Sequence, residues 1–94
     1  MNGYGPWYDL ANSIVLKAVD DWQRASYSMW KNRGNTDAQM ERHRQAKRVK
    51  TECERFFRSD WFSTLCDLDG ESILLKLNER FDRRIRTKIS RMLR

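Results

Sequence analysis

The side chains that most often carry out catalysis or hold metals are few in this sequence. His43 is the only histidine, and it lies between Arg42 and Arg44. Cys53 and Cys66 are the only cysteines, and they form neither a CxxC pair nor the Cys and His spacing of a zinc site. Catalysis needs a nucleophile, a base or a metal held by a second group, and no such pair is visible. We therefore expect a protein that is not an enzyme, with no metal and no cofactor, and with two reduced, packed cysteines.

The acidic stretch near residue 70 is the next candidate for chemistry. Asp67, Asp69, Gly70 and Glu71 have some likeness to a calcium-binding loop. The stretch lacks the alternating oxygen ligands and the distant glutamate that such a loop needs. A turn whose carboxylates cap the following helix is the better interpretation.

Two basic stretches carry the stronger signal. Residues 41–50 contain one acid and the five residues that we name the middle basic group: Arg42, Arg44, Lys47, Arg48 and Lys50. Residues 80–94 contain one acid and the seven residues of the terminal basic group: Arg80, Arg83, Arg84, Arg86, Lys88, Arg91 and Arg94. The planar guanidinium fork suits phosphate and carboxylate oxygens. We predict partner binding by the middle basic group together with Arg83, Arg84, Arg86, Lys88 and Arg91; the alternative is an ordinary solvated helix face.

The overall charge favours an acidic partner. The 94 residues carry a formal net charge of +6, which fits nucleic acid, an anionic membrane surface or an acidic protein patch. No apolar run approaches the length of a membrane span, and the first ten residues lack the plan of a signal peptide. We expect a cytoplasmic protein and a single domain over residues 1–94.

Helical periodicity accounts for most of the chain. Residues 1–6, with two glycines and the only proline, are predicted to form a flexible arm. Apolar residues spaced by three and four then predict a helix over about 7–31. Thr36 offers an N-cap and Gln39 completes a capping box, so a second helix is expected over about 36–58. Ser59 caps a short helix over about 60–66, and a last helix with a basic end follows over about 70–92.

The same spacing predicts which residues are buried. In the second helix the seam is Ala46, Val49, Cys53 and Phe56, with Phe57 beside it. In the last helix the predicted buried stripe is Ile73, Leu74, Leu77, Phe81, Ile85, Ile89 and Met92. The aromatic cluster of Phe56, Phe57, Trp61 and Phe62 is interpreted as core more readily than as a base-stacking platform.

These elements predict an all-α fold, a compact bundle of three main helices plus one short helix. A helix-turn-helix motif is the weaker interpretation, because the second helix is long and no short turn joins two short helices. A membrane-surface role for the last helix is also weaker, because its apolar face is needed for the core.

One stretch resembles a known pattern. The segment from Cys53 to Phe62, continuing through Asp69-Gly70-Glu71, resembles small uncharacterised proteins of phages and prophages of Gram-positive bacteria. Tyr8-Asp9-Leu10-Ala11 and Ala18 to Trp22 fit the pattern too, so that it covers about half of the chain. The resemblance implies a helical phage accessory protein and assigns no activity to any residue. The chain departs from the pattern beyond Leu77, in its long arginine-rich end.

The phage setting and the basic stretches together suggest three functions. The first is a non-enzymatic inhibitor of a host nucleic-acid defence nucleoprotein, anti-CRISPR in kind, acting in the cytoplasm of a bacterial host cell. The second is a phage regulatory protein that binds DNA or RNA directly. The third is a structural or oligomerising phage component. The expected partner is a host nucleoprotein or nucleic acid and not a membrane, and a homodimer is compatible with the thin core.

Overall fold

The computed structural model describes the backbone of residues 5–93 and the side chains of residues 9–93. Four helices form in this range: α1 Gly5–Lys31, α2 Asp37–Phe57, α3 Asp60–Leu65 and α4 Gly70–Met92. The helices pack on one another, with α1 and α2 making the largest interface, and no strand occurs between residues 5 and 93. The prediction of an all-α bundle with three main helices and one short helix is therefore confirmed.

The flexible arm predicted over residues 1–6 is too long at its C-terminal end. Helix α1 begins at Gly5, so Gly5 and Pro6 form part of its first turn. Proline is favoured there because its fixed φ suits a helix and its missing N–H has no partner to lose. The rest of the predicted arm lies outside the described residues.

Side-chain caps fix where three of the helices start. The backbone N–H of Gln39 donates to Thr36 Oγ1 at 3.2 Å, and that of Phe62 donates to Ser59 Oγ at 3.2 Å. Asp69 is the N-cap of α4, because its carboxylate accepts a hydrogen bond from the backbone N–H of the residue three positions later. Each cap satisfies a backbone donor that has no partner inside its helix. These caps confirm the starts predicted from the sequence.

The core is small and aromatic, as predicted, but the placement of Trp61 in it is wrong, because Trp61 is 50% exposed. Trp22 of α1, Phe57 of α2 and Phe62 of α3 are the largest fully buried side chains. The rings of Phe57 and Phe62 meet edge to face at 5.5 Å, and Phe81 of α4 approaches Trp22 edge to face at 6.2 Å. Edge-to-face contacts add to the hydrophobic stabilisation of such rings. Leu74 and Leu77 from the first half of α4 are also buried in this cluster.

The second half of α4 departs from the predicted stripe. The core cluster receives α4 residues only as far as Phe81. Ile85 is half-buried, Ile89 is 41% exposed and Met92 is 74% exposed, so the burial predicted for the last two is wrong. Periodicity shows which side of a helix is apolar, but burial also requires a neighbouring helix to cover that side. The last turns of α4 extend beyond the core that α2 and α3 help to build.

The seam of α2 is also rotated from the prediction. Ala46, Cys53 and Phe57 are buried, whereas Val49 is 41% exposed. Lys50 is half-buried, and its Nζ lies 5.0 Å from the ring centre of Trp22. A lysine stem can cover apolar surface while its ammonium meets an aromatic ring, so Lys50 contributes to packing.

Candidate anion-binding groove

A groove of about 820 Å³ runs between α1 and the second half of α4, and we name it the α1–α4 groove. One acid, Asp20, lines it. Six basic residues line it as well: Arg24 from α1 and Arg80, Arg83, Arg84, Lys88 and Arg91 from α4. The groove therefore presents a strong excess of positive charge, most of it from the terminal basic group.

The spacing of the α4 residues explains why their charges collect on one side. Arg80, Arg84, Lys88 and Arg91 follow one another at intervals of four, four and three, which places them on one face of a helix. Asp82, the acid of this segment, is two residues from Arg80 and lies on the far side. Like charges at these spacings destabilise an isolated helix. The arrangement is thus unfavourable by itself and favours an external anion.

The ion pairs among residues 9–93 do not neutralise the α4 cations of the groove. Arg24 pairs with Asp20 at 3.0 Å, and Asp20 is the only acid among the described residues that line the groove. Across residues 9–93, no ion pair involves any of the five α4 side chains that line the groove. Their positive charge remains available to a ligand.

The floor of the α1–α4 groove is apolar. Leu77 is buried, and Phe81 and Ile85 are half-buried beneath the cationic rim. Tyr27 of α1 borders the groove and is 37% exposed. The groove therefore offers apolar and aromatic surface together with positive charge, a combination that phosphate binding alone does not require.

A cluster of rings and cations lies beside the groove. Lys88 Nζ donates a hydrogen bond to the hydroxyl of Tyr27 and lies 4.3 Å from the centre of its ring. This hydrogen bond, followed by the positive charge of Lys88, lowers the pKa of Tyr27. Trp30 stands 5.8 Å from Tyr27, ring centre to ring centre, and Arg33 lies 4.7 Å above the ring of Trp30. These contacts fix the orientation of Tyr27.

Tyr27 and Arg24 were not predicted from the sequence to be site residues. Tyr27 lies outside the apolar stripe of the first predicted helix, and Arg24 lies on the opposite, polar side of that helix, which also carries aspartates. Tyr27 meets Lys88 across 61 residues of chain, so no local pattern signals that contact. Only the packing of α4 against α1 brings both residues to the groove.

The middle basic group is dispersed around its helix. Its members stand at i, i+2, i+5, i+6 and i+8, and with 3.6 residues per turn these positions occupy most of the circumference of α2. Arg44 pairs with Glu41, and Lys50 is held over Trp22. Lys47 and Arg48 are exposed. These five side chains do not share one face.

Arg42 of the middle group faces α1 across a groove. This second groove, of about 310 Å³, lies between α1 and α2, and Arg24 also borders it. Arg24 therefore lies between Arg42 and the α1–α4 groove. Two ion pairs lie on this side of α1, Arg24–Asp20 and Lys17–Asp21, and each pair has no net charge. A neutral strip thus lies between Arg42 and the α1–α4 groove.

Arg86 also departs from the α4 stripe. It does not line the α1–α4 groove and instead borders a shallower depression with Arg83, Ser90 and Arg91. The structure brings Arg83, Arg84, Lys88 and Arg91 of the predicted site together in the α1–α4 groove, adds Arg80 and Arg24, and places the middle group and Arg86 elsewhere.

The residues first considered for catalysis lie apart from the groove. His43 is half-buried on α2. Cys53 and Cys66 are both free thiols, and burial, followed by the charge of Asp21, raises the pKa of Cys53. A raised pKa keeps the thiol protonated and weakly nucleophilic. Within the described chain, no three His, Cys, Asp or Glu side chains are grouped so that they could hold a metal ion.

Comparisons of the chain with protein-family models, with curated proteins and with solved structures found no significant match. The resemblance to small phage proteins therefore stays a prediction. Among the helices of residues 5–93, none combines the length and the apolar character needed to cross a membrane.

Proposed function

We propose that this chain is a non-enzymatic binding protein that holds the phosphate backbone of a nucleic acid in the α1–α4 groove. The observation that carries the proposal is the row of five α4 cations without an internal ion pair, opposite a single acid that Arg24 already neutralises. Arginine supplies four of the five, and its fork binds phosphate oxygens in pairs.

The length of the row fits a short stretch of one strand. From Arg80 to Arg91 the helix rises about 17 Å at about 1.5 Å per residue. With about 3.4 Å of rise per nucleotide, this length corresponds to roughly five nucleotides. If all five cations replace counterions, the logarithm of affinity falls with the logarithm of salt with a slope of about −3.5 on a single strand and about −4.5 on duplex DNA.

The narrower form of the proposal concerns the biological role. In keeping with the phage resemblance, the protein inhibits a host nucleic-acid defence nucleoprotein, anti-CRISPR in kind, by covering its exposed nucleic acid. The second candidate is a phage regulatory protein that binds free DNA or RNA through the same groove. Both roles use the same cations and differ in whether the nucleic acid is bound alone or only within a complex.

A third candidate rests on a different observation. Ile89, Met92 and Leu93 at the end of α4 are exposed, and Leu93 is 83% exposed. Exposed apolar side chains on a helix end can pair between copies of a chain, which favours a structural or oligomerising role. Light scattering at several protein concentrations would show a dimer or larger species if this role is correct.

The test of groove binding is a titration of labelled oligonucleotides with the full chain at two salt concentrations. The variant Arg84→Gln/Arg91→Gln removes two groove cations. The matched control Lys47→Gln/Arg48→Gln removes the same formal charge from exposed positions of α2 outside both grooves. We expect the first variant to lose affinity and to flatten the salt slope by about 1.4 on a single strand, from about 0.7 per contact. Equal losses in both variants would mean that net charge and not the groove determines binding.

A second experiment separates the two biological roles. Tight, salt-dependent binding to free DNA or RNA favours the regulatory protein. Absence of such binding, together with capture of a nucleoprotein from a bacterial lysate by the wild-type chain and not by Arg84→Gln/Arg91→Gln, favours the inhibitor.

A further inference from the structure

The α1–α4 groove contains more than the cations that a phosphate backbone needs. Its floor is formed by Leu77, Phe81 and Ile85, and one end is bordered by the partly exposed ring of Tyr27. A duplex presents phosphates and sugars to such a groove and keeps the flat surfaces of its bases stacked inside. A single strand presents phosphates together with unstacked bases, whose flat surfaces pack on aromatic and apolar side chains.

We propose that the groove selects single-stranded nucleic acid and that Tyr27 provides the surface on which one base stacks. This inference rests on the proposed function, because it specifies which nucleic acid the groove binds. It also accounts for the apolar floor, which the proposed function alone leaves unexplained.

The position of Lys88 supports a stacking role for Tyr27. The ammonium bonds to the Tyr27 hydroxyl and stands 4.3 Å from the ring centre, so it lies toward the hydroxyl end of the ring. A base that stacks on Tyr27 would bring its own phosphate close to this ammonium. Trp30, tilted by 34° from Tyr27, holds the ring in place from α1 itself. A ring that is already oriented loses little conformational entropy when a base binds.

The neighbouring charges agree with this arrangement. Arg24 and Arg84 line the same groove as Tyr27, from α1 and α4 respectively. Arg24 is paired with Asp20, so the uncompensated positive charge that a strand would meet as it passes Tyr27 comes from the α4 side. Such a combination of a cationic track and an aromatic platform is typical of single-strand binding without sequence preference.

The test compares a labelled oligothymidylate with a duplex of the same length, using the full chain. We expect tighter binding of the single strand. Tyr27→Leu, which removes the ring and keeps apolar volume, should weaken single-strand binding about 5- to 150-fold and leave duplex binding within about twofold. Tyr27→Phe, which keeps the ring and loses the bond to Lys88, should retain most of the affinity. Trp61→Leu is the matched control, because Trp61 is an exposed aromatic residue on α3 outside the groove.

Four outcomes would overturn the inference. Equal affinity for strand and duplex would show that only phosphates are read, and wild-type affinity in Tyr27→Leu would show that no base stacks there; either result leaves the proposed function standing. Competition by polyglutamate as effective as by the oligothymidylate would identify an acidic protein segment as the ligand. Binding of neither strand nor duplex would also overturn the inference, and it would refute the proposed function as well if the wild-type chain captured no nucleoprotein from a bacterial lysate. Far-UV circular dichroism of each variant shows that a loss of binding is not a loss of folding.

Discussion

The close approach of the start of α4 to the end of α2 gives the sharpest prediction about the stability of this protein. Gly70, the first residue of α4, is buried against the last turn of α2. A Cβ atom at this position would lie 1.7 Å from the carbonyl oxygen of Phe57, whereas Cβ atoms essentially never come within 3.0 Å of such an atom. The obstacle is backbone, so α4 itself would have to move. Phe57 and Leu74 are both buried where the two helices meet, and that movement would loosen their packing.

The expected cost of Gly70→Ala follows from two opposing effects. Overpacking a tight contact costs about 1–3 kcal/mol, and a shift of a whole helix start belongs at the upper end of this range. Replacing glycine by alanine lowers the entropy of the unfolded chain and returns about 0.4–1 kcal/mol. We expect a net loss of about 2 kcal/mol in the free energy of unfolding, or a fall in Tm of roughly 10 °C for a domain of this size.

Gly34→Ala is the matched control. A Cβ at Gly34 would lie 1.8 Å from Oε1 of Gln39, an equally close approach to the end of a flexible side chain. Turning Gln39 away breaks its hydrogen bond from Thr36 Oγ1, which costs about 0.5–1 kcal/mol, and the gain from replacing glycine offsets that loss. Urea denaturation followed by circular dichroism measures both variants. If Gly70→Ala is no less stable than Gly34→Ala, the close packing of α4 on the end of α2 is refuted.

Three further predictions concern single side chains. Thr36→Ala removes the N-cap of α2 and should lower the free energy of unfolding by about 1 kcal/mol in the same urea assay. The phenol of Tyr27 should ionise at lower pH than an ordinary tyrosine, because Lys88 stabilises the phenolate. Any stability that comes from this lowered pKa is therefore gained as pH rises through it and is lost as pH falls below it. An ultraviolet difference titration of Lys88→Met should show that the pKa of Tyr27 is no longer lowered by Lys88. A thiol reagent should modify the half-buried Cys66 before Cys53, whose buried thiol has a raised pKa, and equal rates would contradict this order.

The positions of the helices could be predicted because their signals are local. Thr36, Ser59 and Asp69 act as caps through bonds to residues three positions ahead, and these bonds need no distant partner. The buried side of each helix was predicted less well. Val49 and Ile89 carry the correct apolar spacing yet remain exposed, because spacing does not show how far a neighbouring helix extends.

Part of the candidate site could also be predicted from the sequence, and part could not. The intervals between Arg80, Arg84, Lys88 and Arg91 place these residues on one face of a helix, and this part of the groove can be derived from the sequence. The same reasoning applied to the middle basic group shows its dispersal around α2. The contributions of Arg24 and Tyr27 could not be derived, because they depend on which side of α1 receives α4.

The amino-acid sequence by itself thus determined the helices, their caps, the excess of positive charge and its alignment along α4, since all of these depend on residues within a few positions of one another. Only the tertiary structure decided that α4 lies beside α1 with its arginines above an apolar floor, that Tyr27 stands at the edge of this groove, and that a neutral strip of α1 lies between the groove and Arg42 of α2. The physical reason is that contacts between distant segments depend on how whole helices pack, and the spacing within one helix carries no information about its neighbours.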